Sequence, residues 1–125
     1  MRTVVLDAGA LIALERRDTR MLALAADLVA MKVAAHLPTG VLAQVWRGSP
    51  RQHAVMKLVR TGALRVEPLS EEIAVRIGLL LAASGTSDVV DAHVALLGRK
   101  LHATVVTSDP HDLHTLDPAL DLAVI

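Results

Sequence analysis

The sequence predicts an α/β fold: a single domain over residues 1–125 with a central parallel sheet of about four to five short strands, covered by helices on both faces. Three observations support this prediction. Short apolar runs rich in β-branched residues alternate with segments of helical length. Gly, Pro and Ser clusters separate them. The chain has 125 residues, enough for one domain with a core of its own.

The first half of the chain is predicted to form strand, two helices, strand and two helices, at residues 3–6, 8–17, 19–31, 33–37, 39–47 and 51–60. The first strand is the β-branched run TVVL. Pro38 ends the second strand, and Thr39 can cap the helix that follows. Pro50 suits the first turn of the last helix because its missing N–H has no partner there.

The second half is predicted to form strand, two helices, strand, a helical turn and a weak last strand, at residues 64–67, 70–83, 86–100, 103–107, 109–112 and 122–125. Ser70 before Glu71 and Glu72 is a good helix start, because acids suit the positive end of the helix dipole. Ser84-Gly85 ends that helix, and Thr86 or Ser87 is expected to cap the next. Strands that alternate with helices of this length pair in parallel.

The composition is strongly apolar and almost free of aromatic residues. Hydrophobic residues make up 53% of the chain, yet Trp46 is the only aromatic side chain. The core must therefore be aliphatic, and stacking of bases on aromatic rings is nearly excluded. We also expect a partner to cover part of the apolar surface. The absence of cysteine excludes disulfides, a thiol nucleophile and a cysteine zinc site.

No segment is predicted to cross a membrane. Asp27 and Lys32 interrupt the apolar stretch over residues 21–35, and Asp7 interrupts the one near the N-terminus, where a signal peptide would be uncharged. We therefore predict a cytoplasmic protein.

Acidic residues are predicted to meet at one edge of the sheet. Asp7 directly follows the first strand, and Asp109 follows the strand that ends at Thr107. If these strands are parallel, both carboxylates lie at the carboxyl edge, where ligands bind in open α/β sheets. Asp88 and Asp91 begin the helix that leads into the Asp109 strand, so they lie at that edge too.

Carboxylates gathered in this way repel one another unless a cation is present. An all-oxygen ligand set suits Mg²⁺ or Mn²⁺, which activates water and stabilises phosphoryl oxygens. Structural explanations stay open: Asp88 and Asp91 as acids at a helix start, and Asp109 as the cap of a turn. Asp91 is harder to explain in that way because its helix is apolar nearly all round.

Three motifs resemble those of PIN domains. They are VLDAGALIAL at residues 5–14, DVVDAHVALL at 88–97 and VVTSDPHDL at 105–113. Their order and spacing agree over the whole chain, whose size is similar to that of VapC-type toxins of bacterial toxin–antitoxin pairs. The resemblance implies a Mg²⁺- or Mn²⁺-dependent endoribonuclease that forms a homodimer and is inhibited by a small antitoxin. Asp7, Asp91 and Asp109 match the family acids, and Asp88 is an optional fourth.

One position departs from the family pattern. Gln44 occupies the place where these proteins usually have glutamate, so the site should bind metal less tightly. A catalytically weak module that binds RNA or a protein without cleaving it is therefore the main alternative. A phospho-accepting domain with Asp7 as the nucleophile is disfavoured, because position 9 is glycine rather than a second acid.

Positive charge is concentrated in the middle of the chain. Residues 28–66 contain six basic residues and no acidic ones, whereas residues 67–125 contain nine acids and three bases. The best candidates for contacts with RNA phosphates are Arg47, Arg51, Lys57 and Arg60. An ordinary solvated face explains these four residues equally well.

Overall fold

The computed structural model describes residues 2–125, which form five strands and seven helices. The strands are β1 (Arg2–Leu6), β2 (Val33–Pro38), β3 (Leu64–Glu67), β4 (Thr104–Thr107) and β5 (Asp121–Val124). The helices are α1 (Ala8–Glu15), α2 (Thr19–Val29), α3 (Thr39–Val45), α4 (His53–Arg60), α5 (Glu71–Ser84), α6 (Val89–Lys100) and α7 (Pro110–Leu116). A 3₁₀ turn over Pro50–Gln52 precedes α4.

All five strands pair in parallel, in the order β3-β2-β1-β4-β5. The central strand β1 is buried on both faces, because the consecutive residues Val4, Val5 and Leu6 point alternately to opposite faces and none is more than 2% exposed. The predicted α/β fold is therefore confirmed. Since the sheet is parallel, the carboxyl ends of its strands share one edge.

The core is aliphatic, as the composition requires. The largest fully buried side chains include Leu6, Leu11, Leu37, Leu64 and Leu113. Helix α6 packs against β1, β2 and β4, and it approaches closely because residue 98 is glycine. A Cβ atom at Gly98 would lie 2.7 Å from Cγ2 of Val105.

Two helix starts differ from the sequence prediction. Thr39 does not cap α3: Pro38 holds the cap position, and the Thr39 hydroxyl donates to the carbonyl of Glu67 on β3. Neither Thr86 nor Ser87 caps α6, because Asp88 does so by accepting a hydrogen bond from the backbone N–H of Asp91 at 2.9 Å. The Thr39 hydroxyl is taken by a tertiary contact with β3, and aspartate at position 88 is as good an N-cap as the two candidates before it.

A buried glutamine fixes the end of α3. Gln52 donates to the carbonyl of Val45 at 2.8 Å and to Oε2 of Glu15 at 3.2 Å, and its own oxygen accepts from the Arg47 N–H at 2.9 Å. Trp46 is half-buried directly after α3, and its carbonyl accepts a hydrogen bond from Nη1 of Arg47 at 2.6 Å. These bonds join α1, α3 and the 3₁₀ turn.

Across residues 2–125, no single helix is both long enough and apolar enough to span a bilayer.

Candidate active site

Asp7 is held rigidly at the carboxyl end of the central strand. It is 7% exposed and forms the N-cap of α1, where Oδ1 accepts a hydrogen bond from the backbone N–H of Ala10 at 2.9 Å. Its Oδ2 accepts one from the Thr107 hydroxyl. Burial raises the pKa of Asp7, the hydrogen bonds from Thr107 and Ala10 oppose this, and repulsion from Asp109 adds to it.

Thr107 lies between two of the predicted acids. It is fully buried at the end of β4, and its hydroxyl accepts a hydrogen bond from the backbone N–H of Asp109 at 2.8 Å while donating to Asp7. Asp109 stands directly before α7, but its carboxylate makes no capping hydrogen bond there. The cap explanation for Asp109 therefore has no support in the geometry, and its carboxylate is exposed.

Asp91 is the most strongly perturbed acid of the group. Burial in the first turn of α6 raises its pKa to about 6, and repulsion from Asp88, Asp112, Asp109 and Asp7 contributes in that order. These repulsions show that acids from three separate segments of the chain share one electrostatic environment. Every charged neighbour that shifts the pKa of Asp91 is itself an acid.

Two other acids stand beside these three. Asp88, for which the sequence left open a role as an auxiliary site acid or as an acid at a helix start, is exposed and caps α6, and its charge also raises the pKa of Asp91. Asp112 was missed. It lies in the first turn of α7, where a shared hydrogen bond with Asp109 and repulsion from the same carboxyl raise the pKa of Asp112. The i, i+3 spacing of Asp109 and Asp112 at a helix start was the available signal.

A small cavity of about 240 Å³ borders this group of acids. Its lining is acidic or hydroxylated except for one leucine, and consists of Thr86, Ser87, Asp88, Asp91, Asp112, Thr115 and Leu116. Below, "the acidic cluster" means Asp7, Asp91, Asp109 and Asp112.

Among the described residues, Gln44 and the four basic candidates make no hydrogen bond or ion pair with the acidic cluster. Gln44 is exposed on α3, whose first turn packs against α6: a Cβ at Gly40 would lie 3.0 Å from Cγ2 of Val90. The Arg47 guanidinium turns back to the carbonyls of Ala43 and Trp46.

The remaining basic candidates also lie elsewhere. Arg51 pairs with Glu15 at 3.2 Å, and both Arg51 and Lys57 line a separate groove of about 1110 Å³ between α1, α2 and α4. Arg60 is exposed at the end of α4. The structure thus gives none of the four basic candidates a contact with the acidic cluster.

The chemistry of the acidic cluster fits a hard divalent cation. All its side-chain donors are oxygens, and its acids raise one another's pKa. Within residues 2–125 no three His, Asp or Glu side chains stand close enough to enclose an ion. Mg²⁺ does not require such a cage, since it usually keeps several waters and is bound through one or two carboxylates.

Comparison with protein families decides the classification of the chain. The family model described as the PIN domain matches residues 4–117. The chain belongs to the PIN-domain family. PIN domains are generally nucleases. In this chain the acidic cluster lies at the carboxyl edge of the PIN sheet. Comparison with curated protein sequences gives no match.

Solved structures show the same PIN fold at low sequence identity. A chain of FitAB bound to an IR36 DNA fragment has a TM-score of 0.66 and 16% identity, covering 97% of this chain and 94% of that one. A chain of VapBC2 from Rickettsia felis, bound to a DNA fragment from their promoter, has a TM-score of 0.66 and 18% identity, covering 98% of each chain. PAE2754 from Pyrobaculum aerophilum has a TM-score of 0.60 and 15% identity, covering 97% of this chain and 90% of that one.

Proposed function

We propose that this PIN domain is a Mg²⁺- or Mn²⁺-dependent endoribonuclease and the toxin of a toxin–antitoxin pair. One observation carries the proposal: acids from three segments lie at the carboxyl edge of the sheet, where the Thr107 hydroxyl links Asp7 to the turn that carries Asp109. Burial and repulsion from the neighbouring acids raise the pKa of Asp91 to about 6, which supports the same grouping. Such an arrangement is unfavourable for the protein alone, and it becomes favourable when a cation is bound.

The residues have distinct roles in this proposal. Among Asp7, Asp91 and Asp109, one or two carboxylates would bind the ion directly and the others through its water molecules. Thr107 fixes the Asp7 carboxylate relative to the turn that carries Asp109. When bound, the ion supplies Lewis-acid chemistry, offsetting the charge that builds on the phosphoryl oxygens and acidifying water. Asp112 adds negative charge beside Asp109, where Gln44 supplies none.

RNA cleavage by the purified chain tests this function. We expect cleavage of single-stranded RNA with Mn²⁺ or Mg²⁺, loss of cleavage in EDTA, and a decrease of about a hundredfold or more in Asp91→Asn. Asp27→Asn, on α2 outside the acidic cluster, is the matched control and should cleave as the parent does. Equal cleavage by the parent and Asp91→Asn would refute the proposal.

The groove between α1, α2 and α4 supports an antitoxin partner. Its lining is mostly apolar and includes the exposed side chains of Leu22 and Val29, which are 40% and 68% accessible. Cations that include Arg16, Arg17, Lys57 and Arg65 line it as well. An exposed apolar surface of this kind usually marks an interface, and the cations favour an acidic partner segment.

Co-expression with the protein encoded beside this chain tests the partner. Val29→Glu should prevent co-purification of the two proteins, because it places a charge in the groove. Val124→Glu, on β5 and 55% accessible, changes a comparable valine outside the groove and should not. Co-purification that survives Val29→Glu would place the partner elsewhere.

A homodimer is also part of the proposal. Val75 and Leu79 lie one turn apart on α5 and are 60% and 68% accessible, so a second copy is the partner that this face suits. Light scattering of the parent and of Leu79→Glu measures this, and a monomeric parent contradicts it. The cytoplasmic location stays a prediction from the sequence.

Two observations favour the alternative, a catalytically weak module that binds RNA or a protein without cleaving it. Gln44 replaces an acid, and no three acidic or histidine side chains in residues 2–125 are arranged around an ion. Under this alternative the chain binds RNA equally well in EDTA and cleaves it in neither condition.

A further inference from the structure

Ser108 occupies space that a side chain at position 9 would fill. An ideal Cβ at Gly9, in the first turn of α1, would lie 2.0 Å from Oγ of Ser108 and 3.0 Å from its Cβ. Gly9 is not among the glycines with positive φ, which are Gly48, Gly62 and Gly85. A side chain at position 9 would therefore force the Ser108 hydroxyl to move, whereas glycine lets it keep this position; the backbone conformation does not itself demand glycine.

The same geometry places the Ser108 hydroxyl beside Asp7. The ideal Cβ at Gly9 lies 3.4 Å from Oδ1 of Asp7 and 2.0 Å from Oγ of Ser108, so these two oxygens are at most 5.4 Å apart. Ser108 stands between Thr107 and Asp109 and is exposed to solvent. Ser108 is thus a solvent-exposed residue whose hydroxyl lies close to one acid of the cluster, Asp7.

The acidic cluster needs a donor if it is to orient a phosphate. Ionised carboxylates only accept hydrogen bonds and they repel phosphate oxygens. The proton of the Thr107 hydroxyl is already donated to Asp7. A serine hydroxyl supplies a neutral donor without adding a cation that would compete with the metal.

We infer that Ser108 is a substrate-positioning residue, whose hydroxyl donates a hydrogen bond to a phosphate oxygen of RNA beside Asp7. Gly9 is the residue that makes room for that hydroxyl. This inference rests on the proposed nuclease function, and it adds a substrate contact to the acids already described.

The first test removes the hydroxyl. Ser108→Ala should lower kcat/KM for RNA cleavage by about tenfold to a hundredfold, the usual effect of losing a hydrogen bond to a charged group. Its thermal midpoint should equal that of the parent, because the lost contact is with substrate. Unchanged kcat/KM, or a fall that follows a lowered midpoint, would overturn the inference.

The second test moves the hydroxyl from position 108 to position 9. In Gly9→Ser/Ser108→Gly, the Cβ at position 9 takes the space that Ser108 Oγ leaves and carries a hydroxyl of its own. Gly9→Ala/Ser108→Gly restores nearly the same volume without a hydroxyl and is the matched control. We expect the serine double variant to cleave about tenfold faster than the alanine one. Equal rates would show that the pair contributes packing alone.

Single variants complete the cycle and separate the two hypotheses. Gly9→Ala alone should lose both stability and cleavage because of the clash with Ser108, and adding Ser108→Gly should restore the stability only. Gly78→Ala, where a Cβ meets nothing within 4 Å, controls for the general effect of the substitution.

If parent and Asp91→Asn are equally inactive, the nuclease proposal fails. If the parent cleaves and Ser108→Ala matches it, only the present inference fails.

Discussion

The Thr107 hydroxyl joins two segments that are a hundred residues apart in the sequence. It donates to Asp7, it accepts from the Asp109 N–H, and it lies in the fully buried interior. Removing it leaves a buried carboxylate oxygen and a backbone N–H without their partner. A single side chain therefore lowers the pKa of Asp7, against the larger raising effect of burial, and also holds the backbone of Asp109.

Thr107→Val keeps the shape of the side chain and removes these bonds. We expect a loss of about 1–2 kcal/mol in the free energy of unfolding, measured by urea denaturation, and a large loss of RNA cleavage. Thr104→Val is the control at the other end of β4, where the hydroxyl bonds to the exposed Asp121. A Thr107→Val protein that cleaves like Thr104→Val would exclude this role.

Asp91 makes the stability of the metal-free protein depend on pH. Its pKa is raised from 3.8 to about 6, so the folded protein binds the proton more tightly than the unfolded chain does. Its contribution to stability is therefore present below about pH 4 and is lost as the pH rises through about 6.

In EDTA, Asp91→Asn should be more stable than the parent at pH 7.5, by about 1–2 kcal/mol after allowance for solvent screening, and this gain should vanish below about pH 4. Urea unfolding of both proteins across this range measures the difference. The lowered pKa of the buried His93 affects both proteins alike and cancels. A difference that does not change with pH would contradict the assignment.

Among single residues, the sequence predicted those whose position follows from topology alone. Asp7 and Asp109 follow the parallel strands β1 and β4, and Asp91 lies in the first turn of α6, the helix that leads into β4, so the order of elements brings them together. Asp112 joins because the first turn of α7 brings its carboxyl close enough to Asp109 for the two to interact, which depends on the start of that helix. Asp88 caps α6 because this helix begins at Val89, later than a cap at Thr86 or Ser87 would require.

At the scale of elements, α6 is the helix whose packing determines the position of the acidic cluster. It carries Asp91 in its first turn and contacts β1, β2 and β4. Gly98, near its other end, allows the close approach to Val105 on β4. This contact therefore links the position of α6 to β4, the strand that ends at Thr107.

Gly98→Ala should lower the free energy of unfolding by about 1–3 kcal/mol, because its Cβ would lie 2.7 Å from a Val105 methyl group in a packed core. Gly78→Ala, at an open position of α5, should instead stabilise the protein by up to about 1 kcal/mol. Thermal unfolding of both variants measures the contrast. Stabilisation by Gly98→Ala would show that α6 can shift without cost.

Element types could be predicted from the sequence more fully than element starts. The β-branched runs and the Ser70 and Gly85 signals correspond to observed strands and to the bounds of α5. The start of α4 could not be predicted in the same way. The buried hydrogen bonds of Gln52 hold Pro50–Gln52 as a 3₁₀ turn, and these bonds join distant segments.

At the scale of the whole molecule, charge is separated between two surfaces. The acidic cluster lies at the carboxyl edge of the sheet, and the cations Arg16, Arg17, Arg51, Lys57 and Arg65 line the groove between α1, α2 and α4. The sequence showed the unequal distribution along the chain, but not that the basic residues would line a groove away from the acids. That separation depends on how helices pack against the sheet.

Metal binding should stabilise the entire domain. An ion that binds only the folded protein adds about 1.4 kcal/mol at ten times its dissociation constant, which raises the thermal midpoint by several degrees. We expect this shift with Mn²⁺ for the parent and a smaller one for Asp91→Asn. Calorimetric scans with Mn²⁺ and with EDTA measure it. Equal shifts in both proteins would place the ion away from Asp91.

The half-buried Trp46 at the end of α3 is the only aromatic side chain of the chain. All intrinsic fluorescence therefore originates from one indole, next to the Gln52 hydrogen bonds that join α1, α3 and the 3₁₀ turn. Excitation of this indole reports on the order of that junction, with no tyrosine signal beneath it. The emission of a single side chain can thus follow unfolding, or the docking of a partner without tryptophan, in unlabelled protein.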